Sequence, residues 1–262
     1  MAKFCAMFSG SSGNCTYVEA GGASLLIDAG VSTRAICKAL ESIGSSISQI
    51  AAVLVTHEHS DHIKGLKTML SKYEIPVYAN AGTIEGILQT VPVGKECFTE
   101  LKTGGSVDIA GMGVSSFCTS HDSRESMGFR IHTPDGRRIA IATDLGFVSD
   151  DVLNGISGCD VVMLESNHDV GMLQNGRYPY YLKRRILSKT GHLSNQDCSD
   201  VLPQLCSGGT HHFVLAHLSR DNNLPELALE TAVSAMKISG IPHEDYEIEI
   251  APRSGPEHLL TV

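Results

Sequence analysis

The chain has 262 residues, a hydrophobic fraction of 42% and a formal net charge of −9 at pH 7, which suits one well-buried domain spanning residues 1–262. The acidic balance argues against broad non-specific nucleic-acid binding but leaves room for a local basic site. No uninterrupted apolar run approaches the ~20 residues that cross a bilayer, so no membrane partner is expected. The eight cysteines are scattered with no C-x-x-C, and with no signal-peptide pattern they read as reduced thiols of a cytoplasmic protein.

Lys3 to Phe8 is the first predicted strand, followed by Ser9-Gly10-Ser11-Ser12-Gly13-Asn14. Turn chemistry alone accounts for that composition. The functional alternative is a backbone nest for phosphate, with Ser12 and Asn14 as candidate substrate contacts. Cys15 to Glu19 and Ser24 to Ile27 read as a hairpin around Ala20-Gly21-Gly22. The second of these strands runs out in Asp28, which is either a turn residue or a carboxylate that orients a metal-binding imidazole. Ser32 to Ile43 reads as an amphipathic helix: Ser32 caps it, Ile36, Leu40 and Ile43 face inward, and Gly44 ends it.

The apolar run from Ile50 to Val55 is short, β-branched and bounded by polar residues, so it reads as a buried strand. Directly after it comes Thr56-His57-Glu58-His59-Ser60-Asp61-His62, with Ile63 to Leu70 as the helix that follows. A loop can turn His57, His59, Asp61 and His62 toward one cavity, whereas a continuing strand would send neighbours to opposite faces. Imidazole and carboxylate are good ligands for zinc, manganese or iron.

Downstream, Pro76 to Ala79 is a strand, Thr83 to Gln89 a short helix, and Val107 to Ile109 the start of a meander. Val114 to Thr119 leads into Ser120-His121-Asp122. Met127 to His132 and Arg138 to Ala142 are strands joined at Pro134-Asp135-Gly136, and the second delivers Asp144. Val161 to Leu164 delivers Glu165. Val201 to Cys206 belongs to a helix, and His212 to Ala216 is a strand delivering His217. Leu224 to Ser239 is a helix with Leu227, Val233 and Met236 as core candidates, and Tyr246 to Ile250 is the closing strand. A lone histidine after a strand is usually a satisfied core or surface residue. Here several strand ends aim such groups at one edge, and the convergence favours a functional site.

H-x-H-x-D-H at 57–62 resembles the signature of the metallo-β-lactamase superfamily, whose ordered motifs also match Asp28, His121, Asp144 and His217. The resemblance implies an α/β fold: an αββα sandwich of two mixed sheets with helices on the outer faces. It also implies two divalent metal ions (Zn, Mn or Fe). His57, His59 and His121 would hold one; Asp61, His62 and His217 would hold the other; Asp144 would bridge them. Asp61 would serve catalysis through the ions, which activate a hydroxide and stabilise charge on an attacked phosphate.

Glu165-Ser166-Asn167-His168-Asp169 and Gly191-His192-Leu193-Ser194-Asn195 resemble the tail of tRNase Z-like phosphodiesterases. By that likeness His192 would be the general acid and Glu165 its orienter, which suits the poor alkoxide leaving group of a phosphodiester. Closer still, these motifs with Ser-Ser-Gly-Asn-Cys at 11–15 and Ala-His-Leu-Ser-Arg-Asp-Asn-Asn at 216–223 are similar to the YycJ (WalJ, VicX) family of bacterial proteins. That implies a 5′-to-3′ exonuclease on nucleic acid, DNA ahead of RNA. No long insert for a β-CASP cap and no glycine-proline arm is present, which separates the chain from other relatives. A tRNase Z-like RNA nuclease, a thioesterase or lactonase, and a metal-binding regulator without turnover stand as rivals. Metal identity and oligomeric state stay open.

The densest basic stretch interleaves Arg177, Lys183, Arg184 and Arg185 with Tyr178, Tyr180 and Tyr181, and Lys189 follows. It reads either as a solvated helix face or as a substrate grip, in which aromatics stack bases and cations meet phosphates. Lys183, Arg184 and Arg185 are the candidate contacts, with Arg220 a weaker one.

Overall fold

The computed structural model describes residues 1–262. The first sheet holds β1 (Lys3–Phe8), β2 (Cys15–Ala20), β3 (Ala23–Ile27), β4 (Ile50–Leu54), β5 (Val77–Ala79) and β6 (Phe98–Glu100) in sequence order. The second holds β7 (Ser106–Ile109), β8 (Met112–Cys118), β9 (Met127–His132), β10 (Arg138–Ala142), β11 (Val161–Glu165), β12 (His212–Ala216) and β13 (Glu247–Ile250). The last strand, β14 (Leu260–Thr261), returns to pair with β1.

Alternation along the strands builds three cores. On β11, Val161 and Met163 point between the sheets, while Val162 and Leu164 point to the helices. The inter-sheet core joins Phe4, Leu25 and Leu54 to Phe129, Ile141 and Val214. On the first sheet's outer face lie α1 (Thr33–Ser42), α2 (Ser60–Ile63), α3 (Leu66–Lys72) and α4 (Ala81–Thr90), burying Ile36, Leu40, Leu66 and Ile87. The second sheet's outer face is covered by α5 (Asp150–Ile156), α8 (Asn195–Ser207) and α9 (Pro225–Ile238), and α6 (Val170–Asn175) and α7 (Tyr180–Ile186) lie between α5 and α8 in chain order. This is the expected αββα sandwich. No helix is long and apolar enough to cross a membrane.

Two expectations are corrected. The helix predicted from Ile63 to Leu70 starts earlier and breaks, so Asp61 and His62 sit in the helical turn α2 and not in a free loop. The break falls at Gly65, whose amide bonds to the Ala29 carbonyl at 2.7 Å; a Cβ there would lie 2.4 Å from the Val31 oxygen. In α9, Ala228, Ala232 and Met236 are fully buried, while Leu227 and Val233 are only partly so. Small residues one turn apart let α8 pack close against this helix. Val201 to Cys206 does belong to a helix, α8, which Ser194 caps by accepting the Asp197 amide at 3.1 Å. Strands β6 and β14 and helices α5 and α6 lacked a pattern long enough to read.

β3 and β4 are parallel, as are β10, β11 and β12, so the carboxyl ends of each set share an edge. The turn at 9–14 lies there too. Asn14 N donates to the Asp61 carbonyl, Gly30 N to the Asn14 carbonyl and Ala29 N to the His62 carbonyl, each at 2.8 Å. A Cβ on Gly30 would stand 1.7 Å from the Asp61 oxygen and 2.4 Å from Asn14 N. Gly30→Ala must force these three segments apart, with an expected loss of about 3 kcal/mol. An unchanged midpoint in urea unfolding would show that the segments are not clamped in this way.

Candidate metal centre

The first half of the site is built outward from Asp28, the residue after β3. Its Oδ1 accepts the Thr56 amide at 2.9 Å and its Oδ2 accepts Nδ1–H of His62 at 2.7 Å. The Thr56 hydroxyl reaches the same carboxylate at 3.0 Å, and Nδ1 of His57 lies 3.0 Å from that hydroxyl. One carboxylate therefore holds two imidazoles, one directly and one through Thr56, and turns both Nε2 atoms inward. His121 gives its Nδ1–H to the Gly191 carbonyl at 3.1 Å, which leaves Nε2 facing His59 Nδ1 at 3.3 Å.

The second half is built on Glu165, the last residue of β11 and fully buried. Its Oε1 accepts Nδ1–H of His217 at 2.7 Å and of His192 at 2.9 Å; its Oε2 accepts the amides of Leu145 at 2.9 Å and Leu193 at 3.1 Å. Burial would raise its pKa, but the two imidazoles outweigh burial and bring it down to about 2. Glu165 is thus an ionised clamp on both His192 and His217. For His192 burial opposes the charged form, yet the Glu165 carboxylate beside it lifts the pKa. For His57, burial and then the neighbouring His62 push the pKa well down, which keeps a neutral ring with a lone pair to donate.

Three of these residues have left-handed backbones: Asp28 at φ 63°, Asp144 at φ 58° and His217 at φ 57°. Each costs on the order of 1 kcal/mol outside glycine. Each stands within two residues of a strand end, where a sharp turn aims the side chain back over the sheet edge. The His217 amide is held by Ser9 Oγ at 2.8 Å and its carbonyl by Asn167 Nδ2 at 2.7 Å.

The donor atoms converge. His57, His59 and His121 form one set whose atoms lie within 4.8 Å of one another; Asp61, His62 and His217 form a second; Asp144 joins His57 and His62 in a third, and Glu165, His192 and His217 in a fourth. His57 Nε2, His217 Nε2 and Asp144 Oδ2 are buried with no hydrogen-bond partner. Such orphans are rare in folded proteins. Neither lysine nor arginine pairs with Asp28, Asp144 or Glu165, whose charged partners are all histidines. A buried, carboxylate-rich pocket of inward imidazole nitrogens fits divalent cations and little else.

The expected substrate contacts divide. Ser12 is exposed and its Oγ lies 3.4 Å from Arg220 Nη2, so the pair sits together on the surface beside the site. Asn14 is corrected: it is buried, its Oδ1 accepts the Gly10 amide at 2.9 Å, and its Nδ2 faces the Asp61 carbonyl at 3.3 Å and His62 Nε2 at 3.0 Å. The amides of Gly10, Gly13 and Asn14 are spent inside the protein and are not available to a phosphate. Lys183 is corrected as well, since its ammonium is taken by the carbonyls of Gln174 at 2.8 Å and Gly176 at 2.7 Å. Arg185 forks to Asp122, and Arg184 lies over the Tyr180 ring. Sequence reasoning missed Thr56, Ser9 and Gly191 as supports. Ser9 touches a residue 208 positions away, and nothing local in the sequence signals that.

A family model described as a β-lactamase superfamily domain matches residues 24–218, a span that holds Asp28 through His217. Exodeoxyribonuclease YycJ of Bacillus anthracis is 40% identical over 243 residues, covering 90% of each chain. Exodeoxyribonuclease WalJ of Streptococcus pneumoniae is 36% identical over 242 residues, covering 89% of this chain and 88% of its own. Among solved structures, Zn²⁺-bound PqqB of Methylobacterium extorquens matches with a TM-score of 0.72 at 17% identity over 100% of both chains. YhfI of Bacillus subtilis, a metallo-β-lactamase fold protein, matches at 0.71 and 16% identity over 97% of both. At these identities the two structures speak for the fold.

Asp28→Asn tests the support of His62 cleanly, because asparagine tolerates the same left-handed backbone and keeps the shape. It removes the charge that holds the imidazole. Metal affinity is expected to fall ~10- to 100-fold. A chelator-competition titration matching the wild type would show that Asp28 is a turn residue and no more.

Proposed function

The chain belongs to the metallo-β-lactamase superfamily and, within it, to the family of the YycJ and WalJ exodeoxyribonucleases, and we propose that it is a metal-dependent phosphodiesterase that degrades DNA from an end. The resemblance adds a 5′-to-3′ direction and a bacterial cytoplasmic setting. Both are part of the proposal.

The observation that carries the reading is the shared Glu165 clamp. It holds His192 within 2.9 Å while holding His217 at 2.7 Å, so a proton donor is locked beside the metal-ligand candidates. A thioester expels a thiolate and needs little help with its leaving group. A phosphodiester expels an alkoxide and needs a proton delivered to it.

We assign His57, His59 and His121 to one divalent ion, Asp61, His62 and His217 to a second, and Asp144 to both, the ions being Zn, Mn or Fe. Bound there, they would supply Lewis acidity at the phosphate and make water a competent nucleophile near neutral pH. The protein's own residues do the rest. Glu165 fixes the His192 tautomer with the proton on Nδ1, which leaves Nε2 to carry the proton for the leaving oxygen. That ring is only 14% exposed, so bulk water competes weakly with it for the leaving group. Asp28 and the Gly191 carbonyl keep His62 and His121 aimed through the cycle.

Two measurements test this. Metal analysis of protein purified without chelator is expected to approach two ions per chain. A ratio that stays at one after Zn or Mn is added would sink the dinuclear assignment. His192→Ala should keep its metal and its substrate affinity, because the ring acts on charge that develops in the transition state. The rate on DNA should fall ~100- to 10,000-fold, with a much smaller loss on an activated aryl phosphodiester whose phenolate leaves unaided. Equal losses on both would make His192 a positioning residue, and loss of metal would make it a ligand. Matched RNA ends run alongside distinguish a DNA nuclease from an RNA-processing one.

A further inference from the structure

Outside the metal centre, the least explained feature is a set of bare aromatic rings. Tyr180 is 76% exposed, Tyr181 74% and Phe147 40%, while aromatics such as Phe4, Tyr17, Phe129 and Phe213 are buried. Two of the three carry a cation on their face: Arg184 lies 5.9 Å from the Tyr180 ring centre and Lys189 lies 5.9 Å from that of Phe147. A chain of net charge −9 thus places two cations beside bare rings, Arg184 within α7 and Lys189 just after it, the second against Phe147.

That stretch is bolted to the site. Phe147 is three residues past Asp144. Helix α7 carries Tyr180, Tyr181 and Arg184, and its Arg185 forks to Asp122, the neighbour of His121. The chain after α7 continues the attachment: Ser120 Oγ donates to the Lys189 carbonyl at 2.6 Å, the Asp122 amide to the Thr190 carbonyl at 3.0 Å, and His121 to the Gly191 carbonyl at 3.1 Å. The Gly146 segment packs so closely that a Cβ there would meet the Lys189 oxygen at 2.3 Å. The backbone segments that carry the rings are therefore tied to the segments that carry His121, Asp144 and His192.

We propose that Phe147, Tyr180 and Tyr181 form a stacking platform for unpaired bases, so that the strand is fed to the metal centre in single-stranded form. The inference rests on the nuclease reading above and adds the state of the substrate. An open π face with a cation beside it fits a ligand that offers flat rings and negative charge at short intervals. An unpaired strand does so. In a duplex, neighbours cover both faces of every base except the outer face of the terminal pair, so along the strand only groove edges and phosphates remain available. The platform has no sequence preference, because every base has a π face.

The test uses the metal-loaded protein, a single-stranded oligonucleotide, the same strand with abasic residues over its terminal nucleotides, and an aryl phosphodiester. Tyr180→Ser with Tyr181→Ser should raise KM on the normal strand about 10- to 100-fold, the worth of a lost stacked base or two. It should leave kcat nearly unchanged, and should barely alter KM for the abasic strand or turnover of the aryl diester. The conservative pair Tyr180→Phe and Tyr181→Phe should restore the normal KM. Circular dichroism and metal content confirm that the variants fold. An unaltered KM on the normal strand would overturn the platform, and so would equal losses on normal and abasic strands. If the wild type cleaves no strand at all, the nuclease reading falls first and the platform goes with it.

Discussion

Everything at the working edge depends on three carboxylates buried with no lysine or arginine to answer them. Asp28, Asp144 and Glu165 are nearly inaccessible, and their charged partners are all histidines. Taking a carboxylate out of water is expensive unless it is paired and hydrogen-bonded. Glu165 meets that demand with two imidazole donors and two backbone amides. Asp28 meets it with Thr56 and His62. Asp144 does not meet it fully, since its Oδ2 has no hydrogen-bond partner. The carboxylate best placed to serve both proposed ions is the one the protein leaves short of donors.

The backbone is adapted to the same end. Left-handed conformations at Asp28, Asp144 and His217 persist because the surroundings over-determine them. Two seven-stranded sheets press together over a continuous apolar core, and each strained residue sits just beyond a strand anchored in it. Rigid strands hold the ends still, so turns one or two residues long can be spent on aiming. The same logic explains Gly30, where three separate segments meet with no space for a Cβ.

The basic stretch divides by task once its contacts are known. Lys183 satisfies the carbonyls of Gln174 and Gly176, and Arg185 pins α7 to Asp122. Those cations build the rim, the Lys183 ammonium and the Nε and Nη2 of Arg185 being engaged within the protein. Arg184 and Lys189 stay on the surface beside aromatic rings. Charge counting along the chain treats all of them alike; only their neighbours tell a structural cation from an available one.

The sequence determined most of the strands, though not the short β6 and β14, because buried strands leave short apolar runs and each polar strand end stands out against them. It also named the residues of the candidate centre, since imidazoles and carboxylates at strand ends have few structural uses in such numbers. It could not tell that Asp61 and His62 lie in a helical turn, that Asn14 is consumed inside the protein, or that one glutamate serves both His192 and His217. Nor could it single out Phe147, an ordinary hydrophobic residue until its exposure is known. These are matters of which atom meets which across 27, 52 or 208 positions of chain. Local pattern carries secondary structure because its forces act between near neighbours. Hydrogen-bond partners and exposure are set by how the sheets and loops pack, and that only the tertiary structure decides.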